Sequence, residues 1–478
     1  VSLHARGHAP DVPAAAVRGH PAPPPDGRAR RRRAAAGALL LTLTATPAAV
    51  LVVPDATVNV VPAALSALDL DGADIPVLLR ATGLSLPVLL AAVPLAAVAA
   101  RRFNALPVLA TGLAVLLAGL GAAGYARSLP LAGTVRAVQG AGAGIILPAC
   151  LVLVWERRSR ALTAAWAGTL AGALIVAMPL VLTAVPAPAG GKAVPDWRVA
   201  LVPYQWPAVA AAVAALVHLV LRGRRRWSLP ASRHSERGQL LLPLVPVASF
   251  AFLAVVAAVC WSPGARLVVA GLALPALLGL ALAAGRDTTA GSPHGCAIVM
   301  IATGLLTCPV TGPLAGLDAA VPLLPYAVAA VAAPAGALAS VRVAPRHGVR
   351  AGYALMIAAV PFAFGAPGDD GWTLLVPLVL LGAGAGLALA ASLRDAGVGA
   401  ALFGLSLCFP AVLAGQLLVL SLQASRLERL RPVTDAQHFA ALRDGYHVWL
   451  AVAGTAAVLL AVATARHARR TDARPEAG

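Results

Sequence analysis

One run of the sequence combines a strong charge with small residues: Arg136-Ala-Val-Gln139-Gly140-Ala-Gly142-Ala-Gly144-Ile-Ile-Leu-Pro148. It sits inside a long apolar stretch. If that stretch crosses a bilayer, a guanidinium at such depth costs several kcal/mol unless it faces protein or water. Arg136 is therefore a candidate gating or coupling residue, or else a structural donor to backbone carbonyls. Gln139, three residues on, shares its helix face. Gly140 and Gly144 form a small-xxx-small stripe against which another helix can pack closely. Pro148 marks a kink.

Upstream, Asp55 is the only carboxylate placed well inside an apolar run, and Asn59 follows it by four residues. Burial raises the pKa of such a group and a nearby arginine lowers it, so Asp55 could take up and release a proton beside Arg136. The alternative is that Asp55 lies near an interface and caps or solvates a helix. Asn59, Trp166, Gln205 and Gln416 are candidate cavity-lining residues; Asn59 and Gln139 can hydrogen-bond to a substrate or, the preferred reading, across helices in packing. Trp206 could line the cavity too, and Trp197 and Trp206 read as easily as interfacial anchors. His218 reads as a snorkelling residue near the inner end of its span rather than as a proton relay.

Other chemistries find no support. The five cysteines all lie in or beside apolar runs, without a CxxC pair or Cys/His cluster, so no metal site is expected. There is no GxxxxGK[ST] run, no dinucleotide fingerprint and a single lysine, Lys192. No hydrolase triad or HExxH is visible. The expectation is a protein that is not an enzyme and uses no cofactor.

The elements that carry these residues follow from composition. Of 478 residues, 59% are hydrophobic and 12% charged, against about 25% charge in a typical soluble domain. Mean hydropathy is +0.83. The apolar runs are of helix length, not the roughly 10-residue alternation of a barrel strand. The net charge of +18 lies between apolar runs rather than in a basic stripe with interleaved aromatics, so nucleic acid is not an expected partner. We expect fourteen spans, near 36–64, 76–98, 106–126, 130–154, 161–185, 199–221, 239–260, 264–284, 295–315, 321–342, 350–366, 372–392, 398–422 and 446–465. Twelve remain if 239–284 is misread. Segments between spans alternate: Arg101-Arg102, Arg157 to Arg160, Arg222 to Arg226 and Arg342 to Arg350 on one side; Asp69 to Asp74, Asp318 and Asp369-Asp370 on the other. The arginine excess sets the first side in the cytoplasm, with both termini, at the plasma membrane. The segment 423–445, with its arginines, breaks the trend. The expected organisation is a disordered tail over 1–35, a bundle over 36–221, a basic linker over 222–238, two additional spans over 239–284, a second bundle over 285–465 and a tail over 466–478.

The run from Arg136 to Pro148 resembles the fourth-helix signature of the major facilitator superfamily, most of all its fourteen-span drug:proton antiporter branch. Asp55-Ala-Thr57-Val-Asn59-Val-Val-Pro62 is similar to that branch's first-helix motif. Asp196-Trp197-Arg198 and Pro207 resemble the approach to its sixth helix; Leu324-Pro325 through Pro334 resembles its tenth span, and Gly382-Ala-Gly384-Ala-Gly386 its glycine-rich twelfth. The resemblance implies an all-α membrane protein of major-facilitator type, two six-helix bundles plus two extra spans, with a cavity between the bundles. It implies proton-coupled efflux of a small hydrophobic or cationic compound, with substrate, protons and lipid as partners and a monomeric state. Two departures stand out. The loop after the second span, Pro94 to Arg102, has arginines but lacks the family's Asp. The fifth span keeps Gly168, Gly172 and Pro179, with Met178 in place of the glycine before the proline. These departures leave open a scaffold or accessory protein that has lost transport; an importer is a third reading.

Overall fold

The computed structural model describes residues 26–186, 196–222, 229, 234–284, 292–317, 321–365 and 371–472. Residues 1–25 of the expected tail, most of the linker arginines, Lys192, Asp318 and Asp369-Asp370 lie outside them. The described chain is all-α. The first half comprises α1 (Asp26–Val50), the short α2 (Val61–Leu68), α3 (Ile75–Thr82), α4 (Ser85–Arg102), α5 (Ala105–Ala122), α6 (Leu129–Trp155), α7 (Arg160–Ala184) and α8 (Trp206–Arg222). Then come α9 (His234–Leu241), α10 (Leu244–Cys260) and α11 (Pro263–Ala284). The second half comprises α12 (Cys296–Ala315), α13 (Leu323–Ala339), α14 (Pro345–Phe364), α15 (Leu375–Leu393), α16 (Val398–Leu430) and α17 (Asp435–Asp472).

Lipid leaves no water for backbone polar groups, so each span closes its own hydrogen bonds. Side-chain hydroxyls follow the same rule. Thr303, Thr307 and Thr311 form a stripe on α12, and each Oγ1 donates to the carbonyl four residues back. Among the described residues, thirteen helical segments are long and apolar enough to cross a membrane. The expected sixth span is shorter: α8 has 17 residues, about 26 Å at 1.5 Å per residue. This is a multi-pass membrane protein.

Within the first half α6 packs on α4, α5 and α1, and α8 packs on α1. Within the second, α15 packs on α13 and α14, and α16 packs on α12 and α17. The halves meet where α7 lies against α12, α13 and α15, and where α4 meets α16. The extra pair borders that second seam, with α10 on α4 and α11 on α16.

Several boundaries differ from the sequence reading. The first span does not reach 64. Helix α1 begins at Asp26, so 26–35 is helical rather than disordered, as suits its Arg and Ala content. It ends at Val50, because Pro54 disfavours helix in the residue before it, and Asp55 accepts a hydrogen bond from Thr57 N at 3.0 Å, which closes a local turn. Asp55 is thus outside the helix that was expected to contain it. The second span breaks at Gly83-Leu84 between α3 and α4. The linker acquires helix α9. The segment 423–445 is mostly helix: α16 and α17 run 33 and 38 residues, about 50 and 57 Å against a hydrocarbon core of about 30 Å. Their projecting ends are joined by an Arg426–Asp444 ion pair at 3.1 Å. That places the trend-breaking arginines on a helical hairpin instead of a loop.

Candidate functional site

Helix α6 starts at Leu129, so Arg136 enters the bundle about two turns from its N-terminus, on the face away from the arginine-rich loops. The side chain is 2% exposed. Its Nε donates to Thr82 O at 2.7 Å, Nη2 to Pro54 O at 2.9 Å and Nη1 to Gln139 Oε1 at 3.2 Å. Gln139 in turn donates Nε2 to Gly119 O at 3.3 Å and Leu201 O at 3.1 Å.

Three of these carbonyls sit where a helix stops, and the fourth lies in the irregular segment after one. Pro54 follows α1. Thr82 ends α3 at the break before α4. Gly119 lies in the last turn of α5, where the cap hydrogen bond goes to Leu120 O instead. Leu201 ends a 3-10 turn over Trp197–Leu201. Helix ends leave carbonyls without intrahelical partners, and in a buried setting each unpaired group costs about 1–3 kcal/mol. Arg136 and Gln139 together satisfy four. The arrangement ties five segments of the first half into one rigid unit.

Asp55 does not pair directly with Arg136; no ion pair between them occurs within 4.0 Å among the described residues. They meet at Thr82. Its hydroxyl donates to Asp55 Oδ2 at 2.8 Å while its carbonyl accepts from Arg136. Asp55 also accepts from the Thr57 hydroxyl. The carboxylate is half-buried and capped by two threonines, one of which also contacts Arg136. Sequence reasoning passed over Thr82; a threonine just ahead of a glycine break inside an apolar run was the available signal.

Asn59 donates Nδ2 to Val185 O at 2.7 Å, closing the end of α7 as Arg136 closes α3. Gly140 and Gly144 face α4: a Cβ on Gly140 would overlap Ser85 O, and one on Gly144 would lie 2.7 Å from the Ala92 Cβ. Pro148 is buried within α6 without ending it. Trp166 is fully buried on α7. Gln205 is exposed ahead of α8, beside Trp206 at 79% exposure. Gln416 donates Nε2 to Cys308 Sγ at 3.7 Å, linking α16 to α12. Asn59, Trp166, Gln205 and Gln416 therefore sit on four separate segments. Trp197, read as an anchor, is buried. His218, read as snorkelling, is fully buried with Nδ1 against Gly37 of α1.

At the seam, Gly168 and Gly172 of α7 meet the backbone of α13. A Cβ on Gly168 would overlap Pro334 Cα, and one on Gly172 would lie 2.5 Å from Ala330 O. The hydrogen bonds traced above stay within one half, whereas this contact between halves is small residue on backbone. On the arginine-rich face a cavity of about 350 Å³ opens at the same seam, lined from the first half by Trp155, Arg158, Ser159 and Arg160 and from the second by Ser340 and Arg394, among others.

No family model matches the sequence, and no curated protein does either. Solved structures do match in fold. The human organic anion transporter MFSD10 aligns with TM-score 0.54 at 14% identity, over 93% of this chain and all of its own. A bacterial homologue of the human drug peptide transporters PepT1 and PepT2 aligns with TM-score 0.52 at 13% identity, over 92% and 99%. The proton:xylose symporter XylE of the major facilitator superfamily aligns with TM-score 0.53 at 15% identity, over 92% and 96%. The fold is thus of major-facilitator type, with two six-helix halves and an added pair of helices.

Proposed function

We propose that this chain is a secondary active transporter that exports a small hydrophobic compound in exchange for protons. The observation that carries the reading is the contrast between the halves and their seam. Arg136 and Gln139 bind the first half into one hydrogen-bonded body, while α7 touches α13 through glycines and backbone. Rigid bodies meeting on a smooth apolar face can rock and expose a site to each side in turn. The three fold relatives are transporters of unlike cargo, which supports transport and leaves the substrate to this chain's own residues.

In this reading the arginine-rich face is cytoplasmic. Asp55 lies near the opposite face, with the threonine pair and Arg136 behind it, and is the proton-binding group. Inward proton movement is downhill by about 2.3 kcal/mol per charge per 100 mV. An Ala, Leu and Val-rich interior suits apolar cargo better than a sugar, whose hydroxyls need partners. Arginines at the cytoplasmic mouth disfavour the cationic cargo that the sequence alone left open.

The test is uptake into inverted proteoliposomes across a compound panel with an imposed pH gradient. Proton-dependent flux that collapses in Asp55→Asn supports the reading. Flux that ignores both the gradient and Asp55 removes the coupling, and silence across the whole panel favours a scaffold.

A further inference from the structure

We propose that the cavity on the arginine-rich face is a binding site for a phosphate-bearing anion, held by residues of both halves. Arg158 comes from the turn after α6, Arg160 opens α7, and Arg394 caps the end of α15. Among the described residues that line the cavity there is no carboxylate. Arg158 and Arg160 make no side-chain hydrogen bond or ion pair among the described residues, in contrast to Arg101, Arg198, Arg222 and Arg426, each of which has a carboxylate partner. Arg394 donates Nη1 to Val343 O at 2.7 Å and Ser340 O at 3.4 Å, which fixes its guanidinium at the wall and leaves its other donors free.

Arginines on this face are expected from topology alone, and most such side chains simply point into water. These three differ in lining one half-open cavity from two bodies, with Arg158 and Arg160 exposed at its mouth and Arg394 half-buried in its wall. Three guanidiniums without an acid repel one another, and an anion with several acceptor oxygens relieves that repulsion through charge-assisted bidentate bonds. The volume, about 350 Å³, takes a diphosphate or a phosphorylated headgroup. The indole of Trp155 supplies an apolar wall beside the charges.

A ligand that touches both halves binds only when the halves are together on this face. Its differential affinity then favours that state. This consequence rests on the rocking reading given above; the binding itself does not, so the two can fail separately.

The experiment uses the purified full-length chain in phosphatidylcholine nanodiscs, titrated with inorganic pyrophosphate by calorimetry. Saturable binding is expected, weakened on the order of tenfold by Arg158→Gln and by Arg394→Gln, and unchanged by Arg102→Gln, an exposed arginine outside the cavity. Maleimide labelling of an Ala396→Cys variant, at the cavity wall, should slow when pyrophosphate is added. Nanodiscs containing phosphatidylglycerol separate the sources. Loss of apparent pyrophosphate affinity there identifies a lipid headgroup as a competitor for the arginines, and unchanged affinity identifies a soluble phosphate. Absence of saturable binding in phosphatidylcholine, or binding that Arg158→Gln, Arg394→Gln and Arg102→Gln affect alike, overturns the proposal.

Discussion

Glu236 of α9 holds Arg101 of α4 through two parallel hydrogen bonds, Nε to Oε1 at 2.8 Å and Nη2 to Oε2 at 3.2 Å. The same carboxylate abuts the first turn of α16, where a Cβ on Gly399 would lie 3.2 Å from Oε1. The loop after the second span lacks an acid of its own. The connecting helix between the halves supplies one, and places it where α4 of the first half meets α16 of the second. Negative charge at the N-terminus of a helix is favourable, so Glu236 is held from both sides.

The pair is 6% and 13% exposed, and breaking a buried pair strands a charge at a cost of about 3–5 kcal/mol. Glu236→Ala should therefore lower the thermal midpoint in detergent by several degrees. The exchange Arg101→Glu with Glu236→Arg should recover only part, since the helix N-terminus then faces a cation. Full recovery would show that α16 plays no part in the clasp.

Arg136 should prove structurally expensive to replace. Arg136→Ala strands the Thr82 and Pro54 carbonyls, at about 1–3 kcal/mol each. Arg136→Lys keeps the charge but cannot span two carbonyls and Gln139 at fixed angles, so it should fall well short of rescue. Gln139→Ala, which frees Gly119 O and Leu201 O, should cost less than Arg136→Ala. Thermal unfolding of the three variants ranks them; a midpoint for Arg136→Ala equal to that of the parent would show that the four-carbonyl network contributes nothing to stability.

Arg136 was legible in the sequence because a charge inside an apolar run demands an explanation. Its partners were not, because backbone carbonyls carry no letter and only the places where helices stop reveal which are free. Asp55 was misplaced for a related reason: hydropathy runs on through Val60 and Val61, while Pro54 and the turn at Thr57 end the helix. Spans emerged from composition alone. Their ends at 430 and 435 did not, since polar helix extending beyond the bilayer has no apolar signature. Glu236 went unnoticed because a single acid in a basic linker looks like solvated charge until α9 is folded against α4.

The glycines of α7 allow a steric test of the seam. Gly168→Ala places a methyl against Pro334 backbone, which cannot rotate away, so α7 and α13 must move apart. In lipid this association relies on close packing and not on hydrophobic exclusion. On the transport reading proposed above, Gly168→Ala should reduce flux at unchanged expression, and Gly172→Leu should abolish it. Gly279→Ala on α11, where a Cβ meets nothing within 4 Å, is the matched control. Equal flux in all three would mean that the seam does not close as α7 and α13 suggest.

Glu156 gives a pH-dependent prediction with a definite sign. It caps the end of α6 and accepts from Arg222 Nη2 at 3.1 Å, with side-chain exposures of 6% and 7%. Burial raises its pKa above the usual 4.5, and the attraction of Arg222 and then Arg157 only partly offsets this. Burial also lowers the pKa of Arg157, helped by repulsion from Arg222. A carboxyl that holds its proton more tightly when folded makes the native state bind more protons than the unfolded one. Stability from this group is then fully present below 4.5 and declines as pH rises through the folded value. Glu156→Gln cannot ionise, so its stability should be flatter with pH above 4.5 than that of the parent. Thermal midpoints across pH 4 to 8, compared between the two, measure the difference. A parent curve that instead rises with pH relative to Glu156→Gln would mean that the ion pair with Arg222 outweighs burial at this helix end.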